Sequence, residues 1–264
     1  MAFNNILYSV ESGVACITLN RPSKLNSLDD ETMRELHAAV SQVEADRSVR
    51  VLVLAGSGRA FCAGQDLADP VMQTVDGKLP DIGDLVERHF KPLVMKLQNL
   101  RVPTMAAVNG LAAGGGASIA LACDFVVAAR SAYFLQAFSR IGLTPDTGST
   151  WFLTRSVGTA RARGLSMLAR KLPARQAEEW GLIWQSVEDE QFSETIDALA
   201  AELAQMPTKA LVRTRQLVQA AGSYTLEQQL SMEAGFIREM GWSNDYREGL
   251  SAFVEKRPAR FSGD

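Results

Sequence analysis

Four stretches in the first half of the chain carry the short apolar patterning of strands. Residues 14–19, 49–55, 104–108 and 124–129 are rich in β-branched and small apolar side chains and end in turn-forming residues. Between the first two, Met33, Leu36, Val40 and Val43 recur at the helical period. They predict an amphipathic helix opened by Asp29 or Asp30 as its cap. A loop with Pro70, Gly77, Pro80 and Gly83 follows, then a helix over 84–100 in which Pro92 predicts a kink. Strands alternating with helices imply crossover connections and a largely parallel sheet, which puts the chain in the α/β class. Beyond about residue 150 the pattern is helical, and the last helical stretch covers 245–260. These helices have too few apolar positions for a core of their own. We therefore divide the chain into an α/β core over 1–200 and a helical region over 201–264 that packs on its own subunit or a neighbour, so an oligomer is expected.

Bulk composition narrows the class. With 264 residues at 47% hydrophobic content, the chain has ample material for a core. Charged residues are 22% and the net charge is −3, without the basic stripe of a nucleic-acid binder. No apolar run reaches membrane-spanning length, and the first ten residues lack the form of a secretory signal, so a cytoplasmic protein without a membrane partner is expected. Cys16, Cys62 and Cys123 are spaced neither as a disulfide framework nor as a metal site; they read as buried, reduced thiols, and no metal is expected.

Two glycine-bearing loops follow strands. One runs over 56–67 and includes Gly56, Gly58 and Gly64; the other runs over 109–116 and ends in Gly114-Gly115-Gly116 before a good helix-forming stretch. Such glycines let backbone approach a ligand and leave N–H groups unpaired, which suits a developing negative oxygen. A phosphate site and simple tight packing are the competing readings. Neither loop has a P-loop ending or dinucleotide-fingerprint spacing. A third segment, 136–151, contains Asp146 between Pro145 and Thr147-Gly148-Ser149-Thr150, where an aspartate is a natural helix cap as well as a candidate acid.

Taken together, Asn20-Arg21-Pro22-Ser23-Lys24-Leu25-Asn26-Ser27-Leu28, residues 60–67, 109–116 and 142–151, and the ending 246–257 resemble the enoyl-CoA hydratase/isomerase (crotonase) family. The resemblance runs nearly end to end, in the family's order and spacing. It implies a spiral of ββα units with a C-terminal helical region used in oligomerisation, as a homotrimer or a dimer of trimers. It also implies an oxyanion hole made by the backbone N–H groups of Gln65 and Gly115. Coenzyme A, part of the substrate rather than a separate cofactor, would contact Lys24, Ala63 and Leu67. Phe253 and Lys256 would close over it, from this subunit or a neighbour.

Departures from the family pattern sharpen the expected chemistry. Hydratases of the family carry two glutamates where this chain has Ser118 and Phe138. Neither residue can activate a water. Asp146 stands where several family isomerases keep an acid/base aspartate, and a single carboxylate can move one proton between two carbons. The run 137–146 and the pair Asp245-Tyr246 point to an isomerase acting on an aromatic-derived or unsaturated acyl group. The rivals are a Δ3,Δ2-enoyl-CoA isomerase, a hydratase, an aryl-CoA dehalogenase with Asp146 as nucleophile, and a non-catalytic CoA- or RNA-binding protein. Among other residues, His37 is expected on the exposed side of its helix, His89 as a surface or packing residue, Asp124 at a turn or strand start, Trp151 in the core, and Arg155, Arg161 and Arg163 on a solvated helix face.

Overall fold

Three apolar strands of the core are each followed by a shorter strand that lies in a different sheet. In this computed structural model, which describes residues 3–264, β1 (Ile6–Glu11) turns through left-handed Ser12 and Gly13 into antiparallel β2 (Val14–Leu19), followed by α1 (Asp30–Ala45). Three ββα units come next. They are β3 (Val51–Gly56), β4 (Ala60–Cys62), α2 (Ile82–Leu85) and α3 (Lys91–Asn99); β5 (Thr104–Val108), β6 (Leu111–Ala113) and α4 (Gly115–Leu121); and β7 (Phe125–Ala129), β8 (Tyr133–Leu135) and α5 (Ser149–Leu168). The chain ends with β9 (Leu172–Pro173), α6 (Ala174–Glu179), β10 (Gln185–Val187), α7 (Phe192–Gln205), α8 (Thr208–Ala221), α9 (Leu226–Met240) and α10 (Asn244–Glu255).

The first strand of each unit joins a six-stranded sheet ordered β1-β2-β3-β5-β7-β10, parallel from β2 onward. The second joins a small sheet ordered β4-β6-β8-β9, in which β4, β6 and β8 are parallel. Successive units therefore stack side by side as the expected spiral. Both faces of the large sheet are covered, which is why β3 and β5 read as continuous apolar runs. Ile17, Leu52 and Leu54 pack with Leu36, Leu97 and Ile119 on one side, while Val51, Val53, Met105 and Val127 pack with Ile196, Ala200 and Leu203 of α7 on the other.

Two predicted boundaries move. The strand expected over 49–55 is β3, 51–56, because the N–H groups of Arg50 and Val51 both donate to Gly13 O of the hairpin turn. The helix expected over 84–100 is broken by a π turn, Val86–Phe90, in which Lys91 N donates to Val86 O. Pro92 thus sits in the first turn of α3, where a missing N–H is harmless and the wide turn before it relieves the clash expected with Arg88 O.

The helical tail is fastened to the core at two arginines. α7 runs through position 200, and its Leu203 and Ala204 belong to the core. From Pro207 onward burial nearly stops: α8 buries only Thr208 and Arg215, α9 none of its residues, and α10 only Asp245 and Ala252. Arg215 forms a buried ion pair with Asp124 at 2.6 Å and donates to Leu100 O and Val102 O, each at 2.6 Å. Arg50 donates to Thr208 Oγ1, to Met206 O at 2.7 Å and to Phe261 O at 3.2 Å. No helix among the described residues is long and apolar enough to cross a membrane.

Candidate active site

The motif 20–28 is scaffolding for the first glycine loop. Asn26, left-handed and 1% exposed, accepts from Arg21 N at 2.9 Å and donates to Ser57 O at 2.9 Å and Ala60 O at 2.7 Å. The Arg21 guanidinium holds Asp66 at 3.0 Å and Asp29 at 2.9 Å. Ala63 N donates to Leu25 O, Leu28 N to Gly64 O, and Asp66 N to Leu28 O. Leu28 thus bridges the residues on either side of Gln65 in parallel fashion. That pattern turns the N–H of Gln65 away from Leu28.

The second glycine loop lies across from it. β4 and β6 are parallel neighbours, so the turns that leave them emerge side by side. A Cβ on Gly64, whose φ is +89°, would stand 2.9 Å from Ala113 O and 3.4 Å from Gly115 N. A Cβ on Gly116 would stand 2.6 Å from Cys62 O. Packing therefore explains Gly64 and Gly116. It does not explain the two donors: among the described residues, no hydrogen bond runs from Gln65 N–H or Gly115 N–H. Two N–H groups without an acceptor on touching loops are what a cradle for one oxygen requires.

Asp146 is tied by its backbone to the second loop through two serines. Its backbone carbonyl accepts from Ser149 N and from Ser149 Oγ, each at 2.9 Å. Ser149 Oγ lies 3.2 Å from Ser118 Oγ on α4, which donates to Gly114 O at 3.2 Å. Ser118 and Ser149 are fully buried, so the contact is rigid and dry. The carboxylate does not cap α5, contrary to the capping reading. Gly148 is the cap residue, and left-handed Thr147 and Gly148 turn the Asp146 side chain off the helix axis. One carboxylate oxygen accepts from Thr147 Oγ1 at 2.7 Å, and the other takes no hydrogen bond among the described residues. Burial pushes this carboxyl above the usual carboxylate range, and the Thr147 hydroxyl pulls only partly against it.

Neighbouring side chains shape an apolar wall. Phe138, 7% exposed, packs its ring against Gly114, 3.8 Å from where a Cβ would stand. Phe90, on the π turn, packs against Gly115, 2.9 Å from the corresponding point. Neither contact was legible in sequence, because each joins segments far apart in the chain. The one signal for Ser149 was its place in Thr-Gly-Ser-Thr, read there only as cap chemistry.

The candidate coenzyme A contacts divide into two groups. Lys24 is exposed, its neighbour Leu25 bonds Ala63, and Leu67 is 52% exposed a few residues on. Phe253, 83% exposed, lies on α10 and Lys256 caps its end, and no hydrogen bond or ion pair among the described residues joins either to Lys24, Ala63 or Leu67. Within one chain the structure does not bring the two groups together.

Several other expectations change. His37 is half-buried rather than exposed, because its Nε2 donates to His89 O at 2.9 Å. His89 packs, with Nε2 2.9 Å from Asp30 Oδ1. Trp151 is 53% exposed rather than in the core, with the Arg155 guanidinium stacked on its ring. Cys62 and Cys123 are buried and their thiols pushed up by burial, Cys62 to about 12, whereas Cys16 is only partly buried. Among the described residues, no group of three or more His, Cys, Asp or Glu side chains could hold a metal ion.

Comparison with known proteins agrees with this geometry. The pattern of the enoyl-CoA hydratase/isomerase family matches residues 9–264. The chain is 50% identical to the 1,2-epoxyphenylacetyl-CoA isomerase of Escherichia coli K12 over 260 residues, 98% of each chain. It is 43% identical, over the full length of both, to a protein of Rhodobacter capsulatus named "Probable enoyl-CoA hydratase". Among solved structures, an enoyl-CoA hydratase subunit from Geobacillus kaustophilus superposes with a TM-score of 0.90 at 35% identity, covering 99% of each chain.

Proposed function

The chain belongs to the enoyl-CoA hydratase/isomerase family as an isomerase, and we propose that it works by moving one proton of an acyl-CoA thioester through Asp146. The observations that carry this reading are one half-buried, raised carboxyl at Asp146 and two N–H groups without an acceptor among the described residues, with two serines tying the Asp146 backbone to Gly114 beside one of them. The thioester oxygen sits between Gln65 and Gly115. Asp146 takes a proton from the α-carbon, the enolate charge rests on that oxygen, and Asp146 returns the proton to another carbon of the same acyl group. No atom is gained or lost.

For the acyl group we favour 2-(1,2-epoxy-1,2-dihydrophenyl)acetyl-CoA, isomerised to the ring-expanded oxepin thioester, in keeping with the 50% identity to the E. coli isomerase. There the proton travels from the α-carbon to a ring carbon. A Δ3,Δ2-enoyl-CoA substrate needs the same carboxylate and the same cradle and is the second reading. The deciding experiment gives the enzyme both thioesters and compares kcat/KM from product masses and ultraviolet spectra. An excess of turnover on the 3-enoyl thioester would overturn the epoxide assignment, and no turnover of either would overturn the isomerase reading.

Hydration should be negligible. Ser118 is spent on Gly114 O and Ser149, and Phe138 fills the other glutamate position with an apolar ring. With crotonyl-CoA, the loss of enoyl-thioester absorbance should be at least about 10²-fold slower than isomerisation, the scale of a missing acid/base group. Comparable rates would mean that another residue activates water.

Coenzyme A lies along Lys24, Ala63 and Leu67, with its phosphates near the Lys24 ammonium and with Phe253 and Lys256 supplied by a neighbouring copy. A homotrimer, or a dimer of trimers, accounts for α9 burying nothing and for the exposure of Trp242 at 81% and Phe253 at 83%. Because the phosphate contact is solvent-exposed, salt should weaken it. In calorimetric titrations, Lys24→Ala with Lys256→Ala should lower CoA affinity at low salt and flatten its salt dependence. An unchanged salt slope would remove this assignment.

A further inference from the structure

Two histidines outside the chemistry above meet on the π turn. His37 of α1 donates Nε2 to the backbone carbonyl of His89 at 2.9 Å, and His89 points its own Nε2 at Asp30 Oδ1, also at 2.9 Å. Asp30 is itself held, its N–H donating to Asp69 Oδ2 at 2.7 Å. The Lys96 ammonium reaches Ser41 Oγ at 2.6 Å and ties α3 to the same face of α1. A π turn is one residue out of helical register and persists where tertiary contacts define it; such turns gather at functional sites. Here the next residue in the turn is Phe90, 3% exposed, whose ring stands 2.9 Å from the point a Gly115 Cβ would occupy. The clamp therefore ends on the residue that carries one of the two N–H groups.

We propose that His89 is a positioning residue: held by Asp30 and His37, it seats Phe90 on Gly115 and so sets how firmly the thioester oxygen is bound as negative charge develops. This rests on the reading of Gln65 and Gly115 as the oxygen's donors. Phe90 keeps the start of α4 from drifting toward α3 and keeps water off that side of the Gly115 N–H. A donor displaced by a fraction of an ångström binds the neutral thioester nearly as well but loses its advantage for the enolate, so the effect falls on kcat rather than KM.

The test uses acetoacetyl-CoA, whose enolate has its own ultraviolet band, alongside turnover of whichever thioester the enzyme isomerises. His89→Leu removes the donor to Asp30; His89→Gln keeps an N–H at about the same reach. Phe90→Leu removes the ring and leaves the clamp. His89→Leu and Phe90→Leu should each lower kcat by about tenfold, leave KM within about twofold, and shrink the enolate band of the bound ligand. His89→Gln should restore most of both. An undiminished band and kcat in His89→Leu, or a change confined to KM, would overturn the proposal. If His89→Leu does not fold, Phe90→Leu with an undiminished band overturns it equally. A wild-type enzyme that binds acetoacetyl-CoA without any enolate band overturns the reading of the cradle itself, a result distinguishable from failure of the clamp alone.

Discussion

Asp146→Asn should cost turnover about 10²-fold or more while the protein stays folded and still binds CoA. The amide keeps the shape of the carboxyl and can still accept from Thr147 Oγ1, so nothing in the packing argues for unfolding. The stability sign runs the other way. Burial raises this carboxyl's pKa in the folded state, so its ionised form is disfavoured there. Its contribution to stability is present below the unfolded pKa and is lost as pH rises through the raised folded value. At neutral pH a neutral isostere should therefore melt at the same temperature or higher. In the parent enzyme, kcat should climb as pH rises through the raised carboxyl, because the proton acceptor must be ionised; the variant should lack that limb. Measuring kcat against pH together with thermal melts separates the outcomes. Near-parental turnover in a folded Asp146→Asn would remove Asp146 from the mechanism, and lost turnover with a much lower melting temperature would make its role structural.

Arg215→Ala should be the most destabilising single change on the helical tail, by about 3–5 kcal/mol. The guanidinium is 6% exposed and makes two 2.6 Å contacts to Asp124 as well as bonds to Leu100 O and Val102 O. Its removal leaves a mostly buried carboxylate with only Thr104 N and Oγ1, and two carbonyls short of a donor. Against a typical total of about 5–15 kcal/mol, that is a large share. Arg215→Lys should recover only part of the loss, since an ammonium cannot present the planar fork that meets both carboxylate oxygens and both carbonyls. Urea denaturation midpoints read the effect directly. A shift equivalent to less than about 1 kcal/mol, the range of an exposed pair, would show that the pair contributes little.

The larger sheet was legible where apolar runs are long. The stretches 14–19 and 104–108 emerge as β2 and β5 without change: β5 buries every side chain, and β2 alternates buried with half-buried ones. The small sheet was not legible. β4, β6 and β8 are three residues each, too short for periodicity to register, yet their ends place both cradle donors. Family resemblance named Gln65 and Gly115, while the bare residues distinguished an oxygen cradle from tight packing only as alternatives. The packing reading holds at Gly116, set against Cys62, while the N–H groups of Gln65 and Gly115 donate to nothing among the described residues. Asp124 stands at the bend before β7, as a turn or strand-start residue should, but its partner Arg215, 91 positions away in the chain, left no local signal. Trp151 was placed in the core on hydrophobicity alone, whereas stacking by Arg155 lets it remain at the surface.

The bonds of Arg50 set an order of events during synthesis. Its side chain reaches partners 156, 158 and 211 residues further along, at Met206, Thr208 and Phe261. Strands β2 and β3 emerge from the ribosome early, yet the arginine that opens β3 has none of these three partners until at least 156 further residues have been made. β2 pairs at once with β1, but β3, β5 and β7 each close a longer loop before joining their parallel neighbour, and pairings distant in sequence slow the search for the native state. The nascent chain must therefore carry a part-built sheet with a bare cationic edge, a state in which unpaired strands are open to misassociation. The fastening of β3 is thus deferred until the helical tail has folded back onto it.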